Sequence, residues 1–289
     1  MYDYELLLHY LEGQRDFSGV DLSNISLLGA NLAEITLASA NLAGACLSSA
    51  YLASANLCKA NLLGSNLSQA FLNRANLSFA KLSHSNLAAA DLTKANLKGA
   101  LLVRANLSAA KLSGANLAGV NLREANLQAV NLCGADLRGI NLRSANLQGA
   151  NLSWANLSGA RLSGAVLQGA LLTGVKLNEA YLNGVDLQGA DLGGIDLHEA
   201  KLNGANLQAA DLTAANLSAA HLRSASLTNT KLRAADLSSA DLRGVNLKNA
   251  TFERALYTLE TQFPRDFDLL AQGVSLASTS VAVNGSSST

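Results

Sequence analysis

The sequence predicts an all-β solenoid, a chain wound into stacked coils around a leucine-filled interior. Three observations carry that reading. Leucine occupies every fifth position from Leu22 to Leu247, 46 in succession, flanked at the same spacing by Phe17 and Phe252. The residue two before each centre is nearly always small, as at Ala40, Ala45 and Ala50, with Val120, Ile140, Ser65 and Thr230 as variants. Of the 23 glycines, 19 lie two residues after a centre.

A period of five fits neither a helix, whose apolar positions recur near every 3.6 residues, nor a strand, which alternates every two. Two residues apart in extended chain point to the same side. The small residue and the leucine can therefore both face inward from a short extended piece, followed by a two-residue corner. Coils that always turn the same way stack by strand-type hydrogen bonds, which satisfies their backbone groups. Glycine two after the centre suits the positive φ of a type II turn. Many units carry Ala, Ser or a long side chain there instead, which predicts a second turn type alongside the first.

The 48 units from Phe17 to Phe252 read Ala-Asn/Asp-Leu-x-x without insertion or slip. On those residues the chain resembles the pentapeptide repeat family over roughly residues 15–254. The resemblance implies a right-handed quadrilateral β-helix with four units per coil. Twelve coils at about 4.8 Å each then make a rod about 58 Å long. Each buried leucine contributes about 1.5–3 kcal/mol before entropy is subtracted, and stability becomes a nearest-neighbour sum along the rod.

The rod's open ends would invite chain-to-chain pairing, so caps are expected there. Residues 1–14 are read as an N-terminal helical cap with Leu7, Tyr10 and Leu11 on one face. Residues 255–273 break the repeat and gather Tyr257, Phe263 and Phe267 into an irregular or helical lid. Both flanks are similar to those of cyanobacterial members of the family. Residues 274–289, rich in Ser, Thr, Ala and Val, are read as a flexible tail, with an added edge strand at 281–283 as the other reading.

Composition narrows the function. Lys plus Arg and Asp plus Glu each number 21, so the formal net charge is zero. Neither a nucleic-acid-binding charge nor an acidic imitation of DNA is present over the whole chain. Cys46, Cys58 and Cys133 have neither the spacing nor the nearby histidines of a zinc site, and a reducing compartment, the cytoplasm, is the simpler reading. Asp3 and Glu5 stand where a secretory leader would be basic, and no apolar run reaches membrane-spanning length.

With 20 residues per coil, outward residues sort into columns on four walls. The wall of Leu22 and Leu42 is basic, carrying Arg123, Arg143, Arg161, Lys201, Arg223 and Arg243 besides Lys81 and Arg104. It reads either as a solvated surface whose long side chains cover the sheet or as a groove for an acidic partner. Stacking aromatics are scarce, which argues against nucleic acid. The next wall, that of Leu27 and Leu47, is nearly uncharged. Its Asn66, Asn86, Asn106, Asn126 and Asn146 form one column, and Gln128, Gln148, Gln168, Gln188 and Gln208 another. This is an amide ladder or a flat contact surface. Tyr51 and Phe71 share a column one coil apart with Arg74 nearby, a combination typical of interface anchors; Trp154 is a lone exposed aromatic. Residues 35–178 hold 12 Lys and Arg against Asp91, Glu124 and Asp136, so the middle is basic and the ends acidic.

No catalytic constellation is expected. His9, His84, His198 and His221 are scattered, adjacent residues such as His198 and Glu199 should point apart, and the serines lack a His–acid arrangement. A regular convex rod should offer no deep cavity, and neither cofactor nor metal is expected. The sequence thus points to a non-catalytic scaffold, monomeric or weakly dimeric through an end or a flat wall, that binds a protein partner along its sides. The alternative that the resemblance supplies is a DNA mimic that modulates a type II topoisomerase, which the zero charge and unbroken repeat disfavour.

Overall fold

The computed structural model describes residues 3–269 and 271–277. A helix α1, Asp3–Leu11, leads into coils that stack by single-residue parallel bridges, each joining residues 20 apart from Asp16↔Thr36 to Asp236↔Leu256. A coil is therefore four five-residue units. Two short strands, β1 (Leu256–Tyr257) and β2 (Ser275–Leu276), pair in parallel at the C-terminal end.

Most units make the same backbone bonds. The Leu22 amide donates to the Asn41 carbonyl at 2.7 Å, the Asn24 amide to Ala43 at 2.8 Å, and the Asn41 amide back to Val20 at 3.0 Å. A fourth bond, Ile25 amide to Leu22 carbonyl at 3.2 Å, closes the corner. All 48 corners from Gly19 to Arg254 have positive φ at the second corner residue, 29 of them non-glycine, and the first corner residue never does. That pattern defines type II turns throughout these 48 corners, so the expected second turn type does not occur among them. The corner bond and the two inter-coil bonds over-determine the backbone, and Ala109 (φ 55°) or Trp154 (φ 62°) is held where glycine would sit without strain.

The interior is the expected double row of leucines and small residues, almost all fully buried. Its polar variants are satisfied: Ser65 and Ser85 donate to the Leu62 and Leu82 carbonyls, and Thr230 to the Leu207 carbonyl at 2.7 Å. Outside, the residue before the leucine works twice. Its Oδ1 accepts the amide two residues on, as Asn56 does from Cys58 at 3.2 Å, and its Nδ2 reaches the coil before, as Asn61 does to Asn41 at 2.9 Å.

The ends depart from expectation in detail. Leu6, not Leu11, is the fully buried residue of α1; Leu7 and Tyr10 pack beside it, and Leu11 stays 80% exposed. The Tyr10 hydroxyl donates to the Ala33 carbonyl at 2.9 Å, and Arg15 covers the Tyr10 ring at 3.9 Å. At the other end no helix forms among the described residues. Phe263 and Phe267 stack at 4.6 Å, and Phe267 meets the last-coil Phe252 edge-on at 5.1 Å. The ladder slips by one residue there, Asp241 bridging Gln262. The segment 274–277, read from sequence as the start of a flexible tail, carries β2; the edge strand considered at 281–283 lies outside the described residues.

The rod is not uniform. The bridge series omits Val166↔Asp186 and Leu171↔Asp191. Among the described residues, the amides of Leu167, Gly169, Leu172 and Gly174 make no bond to the next coil, while Leu162 to Tyr181 and Leu177 to Asp196, both 2.9 Å, hold the opposite walls together. A cleft of ≈ 900 Å³ opens between the two coils, contrary to the expectation of a rod without cavities. The residues before the leucine at Arg161, Val166, Leu171, Lys176 and Tyr181 form the longest run of units without Asn or Asp. On the two walls that open, Val166 and Leu171 offer no polar atom to cap the turn or reach the neighbouring coil.

Candidate partner-binding walls

The basic wall is built by the 20-residue columns. Arg161, Tyr181 and Lys201 are bridged in succession on one column. Arg123 and Arg143 occupy first-corner positions on consecutive coils, joined by the Glu124 amide to the Arg143 carbonyl at 3.0 Å. Half of the expected basic set is neutralised in place. Glu124 takes Arg104 at 2.7 Å and Arg123 at 3.2 Å, and Asp241 takes Arg223 at 2.5 Å and Arg243 at 2.8 Å. The Arg104 hydrogen bond, then the charges of Arg104 and Arg123, hold Glu124 below the ordinary carboxylate range. Arg143, Arg161 and Lys201 have no carboxylate within 4.0 Å among the described residues.

Beside Arg161 and Lys201, a groove of ≈ 370 Å³ runs along the wall's edge, lined by Arg161, Tyr181 and Lys201 on one side and by Glu179 and Glu199 on the other. Tyr181 and Glu179 carry no motif of their own, and Glu199, in sequence only the neighbour of His198, joins them because positions 20 apart share a column.

Tyr51 and Phe71 stack with ring centroids 4.5 Å apart and an interplanar angle of 8°, and remain 49% and 39% exposed. Arg74 occupies the corner of the Phe71 unit at φ 60°, and among the described residues it makes no cation–π contact. Two other aromatics lie across glycine corners of the following coil: Phe79 over Gly99 and Trp154 over Gly174, so close that a Cβ on either glycine would collide with the ring. On the amide wall, Asn66, Asn86, Asn106 and Asn126 link through side-chain bonds of 3.1–3.3 Å. The glutamine column makes no such side-chain ladder among the described residues; the backbone amides of Gln128, Gln148 and Gln208 donate to Asn126, Asn146 and Asn206, and that of Gln188 to Asp186.

The structure brings together one polar cluster the sequence reading had placed apart. Ser218 Oγ lies 2.8 Å from His198 Nδ1, and His198 Nε2 lies 3.4 Å from Glu199 Oε1. First- and second-corner residues can converge because both lean off the same turn. The cluster lacks the machinery of an acyl-transfer site. The Ser218 hydroxyl donates to Asn216 Oδ1 at 2.6 Å, and the amides beside it are spent on Asn216 and on the Ser238 carbonyl, leaving no donor pair for an oxyanion. Among the described residues no group of His, Cys, Asp and Glu could hold a metal ion, and no helix is long and apolar enough to cross a membrane.

A coil of stacked short bridges with an apolar interior and polar walls defines a β-helical repeat protein. Its sequence matches the family described as Pentapeptide repeats, in overlapping segments that span 16–174 and 180–254. The chain belongs to that family, whose fold is the right-handed β-helix. No curated protein sequence matches it. Among solved structures it is similar to HetL, a pentapeptide repeat protein involved in heterocyst differentiation regulation from the cyanobacterium Nostoc sp. strain PCC 7120, at 32% identity over 87% of this chain and 93% of that one, TM-score 0.37. It is also similar to full-length QnrB1, a plasmid-mediated fluoroquinolone resistance protein, at 18% identity over 75% and 91%, TM-score 0.35. A third is a pentapeptide repeat protein from the Arabidopsis thaliana thylakoid lumen, at 32% identity over 38% and 69%, TM-score 0.16.

Proposed function

We propose that this chain is a non-catalytic scaffold, a rod of about twelve coils closed at both ends, that docks an acidic protein partner along its basic wall. The observation that carries the reading is the set Arg143, Arg161 and Lys201, cations without a carboxylate partner among the described residues, two of them on one backbone ladder. A surface cation without a carboxylate is free to meet one from a partner, whereas Arg123, Arg223 and Arg243 would first have to give up Glu124 or Asp241. Tyr181, bridged between Arg161 and Lys201 on the same wall, supplies the aromatic anchor such interfaces favour; the Tyr51–Phe71 stack and Arg74 belong to the opposite wall, that of Leu52 and Leu72. The rigid coils mean that docking orders little new backbone, which lowers the entropic cost of association. Cys46, Cys58 and Cys133 stand on three different walls, in keeping with a reducing cytoplasm.

Affinity capture from the native host tests this, comparing the natural chain with a triple Arg143→Glu, Arg161→Glu, Lys201→Glu variant. A protein retained by the first and lost from the second is expected, with a binding rate that falls as salt rises. Equal retention by both would refute docking on this wall. Inhibition in a gyrase supercoiling assay would favour the DNA-mimic alternative instead, against which the zero net charge weighs.

A further inference from the structure

The cleft between the two separated coils carries three features found together nowhere else on the described rod. The first is unpaired strand edge on both lips. On one lip the amides of Leu167 and Leu172 and the carbonyls of Ala165 and Ala170 lack inter-coil partners among the described residues. On the other lip the same holds for the amides and carbonyls of Asp186 and Asp191. Buried or half-buried backbone groups left this way cost free energy until something bonds them. The second feature is apolar lining. Val166 and Leu171 are 48% and 56% exposed, Ala170 and Ala190 are half-buried, and the interior residues Leu167 and Leu172 line the opening. The third is uncompensated acid. Asp186 accepts from the Gln188 amide and from Asn206 Nδ2, and Asp191 from the Gly193 amide, yet neither has a cation within 4.0 Å among the described residues.

We infer that this cleft binds an extended polypeptide segment of another protein in which apolar and cationic residues alternate. Such a segment adds as a strand between the lips, its backbone bonding both edges. Alternate side chains point to opposite sides, so its apolar residues point inward to Leu167 and Leu172 while its cations point outward to Asp186 and Asp191, their methylene stems beside Val166 and Leu171. A second copy of this chain is the poorer occupant, because its other described coils have already spent their edges on one another. The inference stands apart from docking on the basic wall, which calls for the opposite charge in the partner.

The test uses the full chain and a fluorescein-labelled, end-blocked peptide of three Lys-Val repeats, read by fluorescence anisotropy, with a Glu-Val peptide as comparison. Val166→Asn with Leu171→Asn restores the consensus residue on both open walls and should close the cleft, with a melting temperature no lower than the natural chain's. We expect 1:1 binding of the Lys-Val peptide, weakened about tenfold or more in the closed variant, the size of one or two lost hydrogen bonds. Asp186→Asn with Asp191→Asn should erase the preference over the Glu-Val peptide. In the free protein the Leu167 and Leu172 amides should exchange with solvent faster than those of Leu127 and Leu132, and slow when the peptide binds. Equal binding to the closed variant, equal binding of the two peptides to the natural chain, or Leu167 and Leu172 amides as protected as Leu127 would overturn the inference. So would a concentration-dependent dimer that the closed variant loses, since a second copy would then fill the cleft.

Discussion

Alanine at Gly174 should dislodge the chain's one tryptophan, whereas alanine at Gly139 should not. The two corners have nearly the same backbone, φ 66° and 63°. A Cβ at Gly139 meets nothing within 4 Å, but one at Gly174 would come within 2.3 Å of the Trp154 ring. Placing alanine in the left-handed region costs about 1–2 kcal/mol, partly offset by about 0.4–1 kcal/mol from the stiffer unfolded chain. Gly139→Ala should therefore lower stability by about 1 kcal/mol. Gly174→Ala should cost that much plus the contact the ring gives up. Trp154 is 69% exposed, so about a third of a surface of at most ~250 Å² is covered, an upper bound of about 2 kcal/mol at 25 cal/mol per Å². Urea denaturation followed by circular dichroism reads the stability. Native-state fluorescence reads the ring directly, since no other tryptophan emits. In a Trp154→Ala background, Gly174→Ala should cost no more than Gly139→Ala. An unchanged emission spectrum in Gly174→Ala, or the same spectral shift in Gly139→Ala, would refute the steric coupling between neighbouring corners.

Three further outcomes follow from the same geometry. Ala109→Gly, which relieves a φ of 55°, should raise stability by about 0.5–1 kcal/mol in urea titrations. Leu127→Ala, at a fully buried site in the middle of the rod, should lower it by about 2–5 kcal/mol because rigid coils cannot collapse into the void. Asp211 is held down to about 2, first by the Thr213 hydroxyl, then by the Thr213 amide and Lys231. A carboxylate whose folded value is depressed adds stability that is complete above its unfolded value near 4 and is lost as pH falls toward 2. Thr213→Val should raise the Asp211 midpoint in an NMR titration and shrink the loss of stability across that window; an unmoved midpoint would remove Thr213 as the cause.

The interior was legible because a five-residue period leaves few ways to bury leucine and a small residue together, and the inward rows from Leu22 to Leu242 are where the pattern placed them. Glycine is not the sole signature of positive φ at these corners. Serine at 144 or lysine at 94 adopts it as well, since hydrogen bonds on both sides of the turn outweigh a residue's own preference. The walls were legible as columns but not as ion pairs: that Asp241 holds both Arg223 and Arg243 depends on side-chain reach across a coil. The Ser218–His198–Glu199 cluster is hidden for the same reason, joining both residues of one corner to a residue of the next coil. The cleft was written in the sequence as a missing residue type, five units in a row without Asn or Asp from Arg161 to Tyr181, and a search for leucine alone passes over it.

Four interchangeable units to a coil give this chain an arithmetic of its own. Removing 20 residues from the middle would shorten the molecule by one layer and leave every column facing the way it did. Removing five would spare the apolar filling just as well, yet swing everything beyond the deletion through a quarter turn. The amide wall past the break would then face where the arginines had been. Evolution by small duplication or loss can thus preserve such a body while scrambling its exterior, and only changes in whole layers keep a recognition pattern intact.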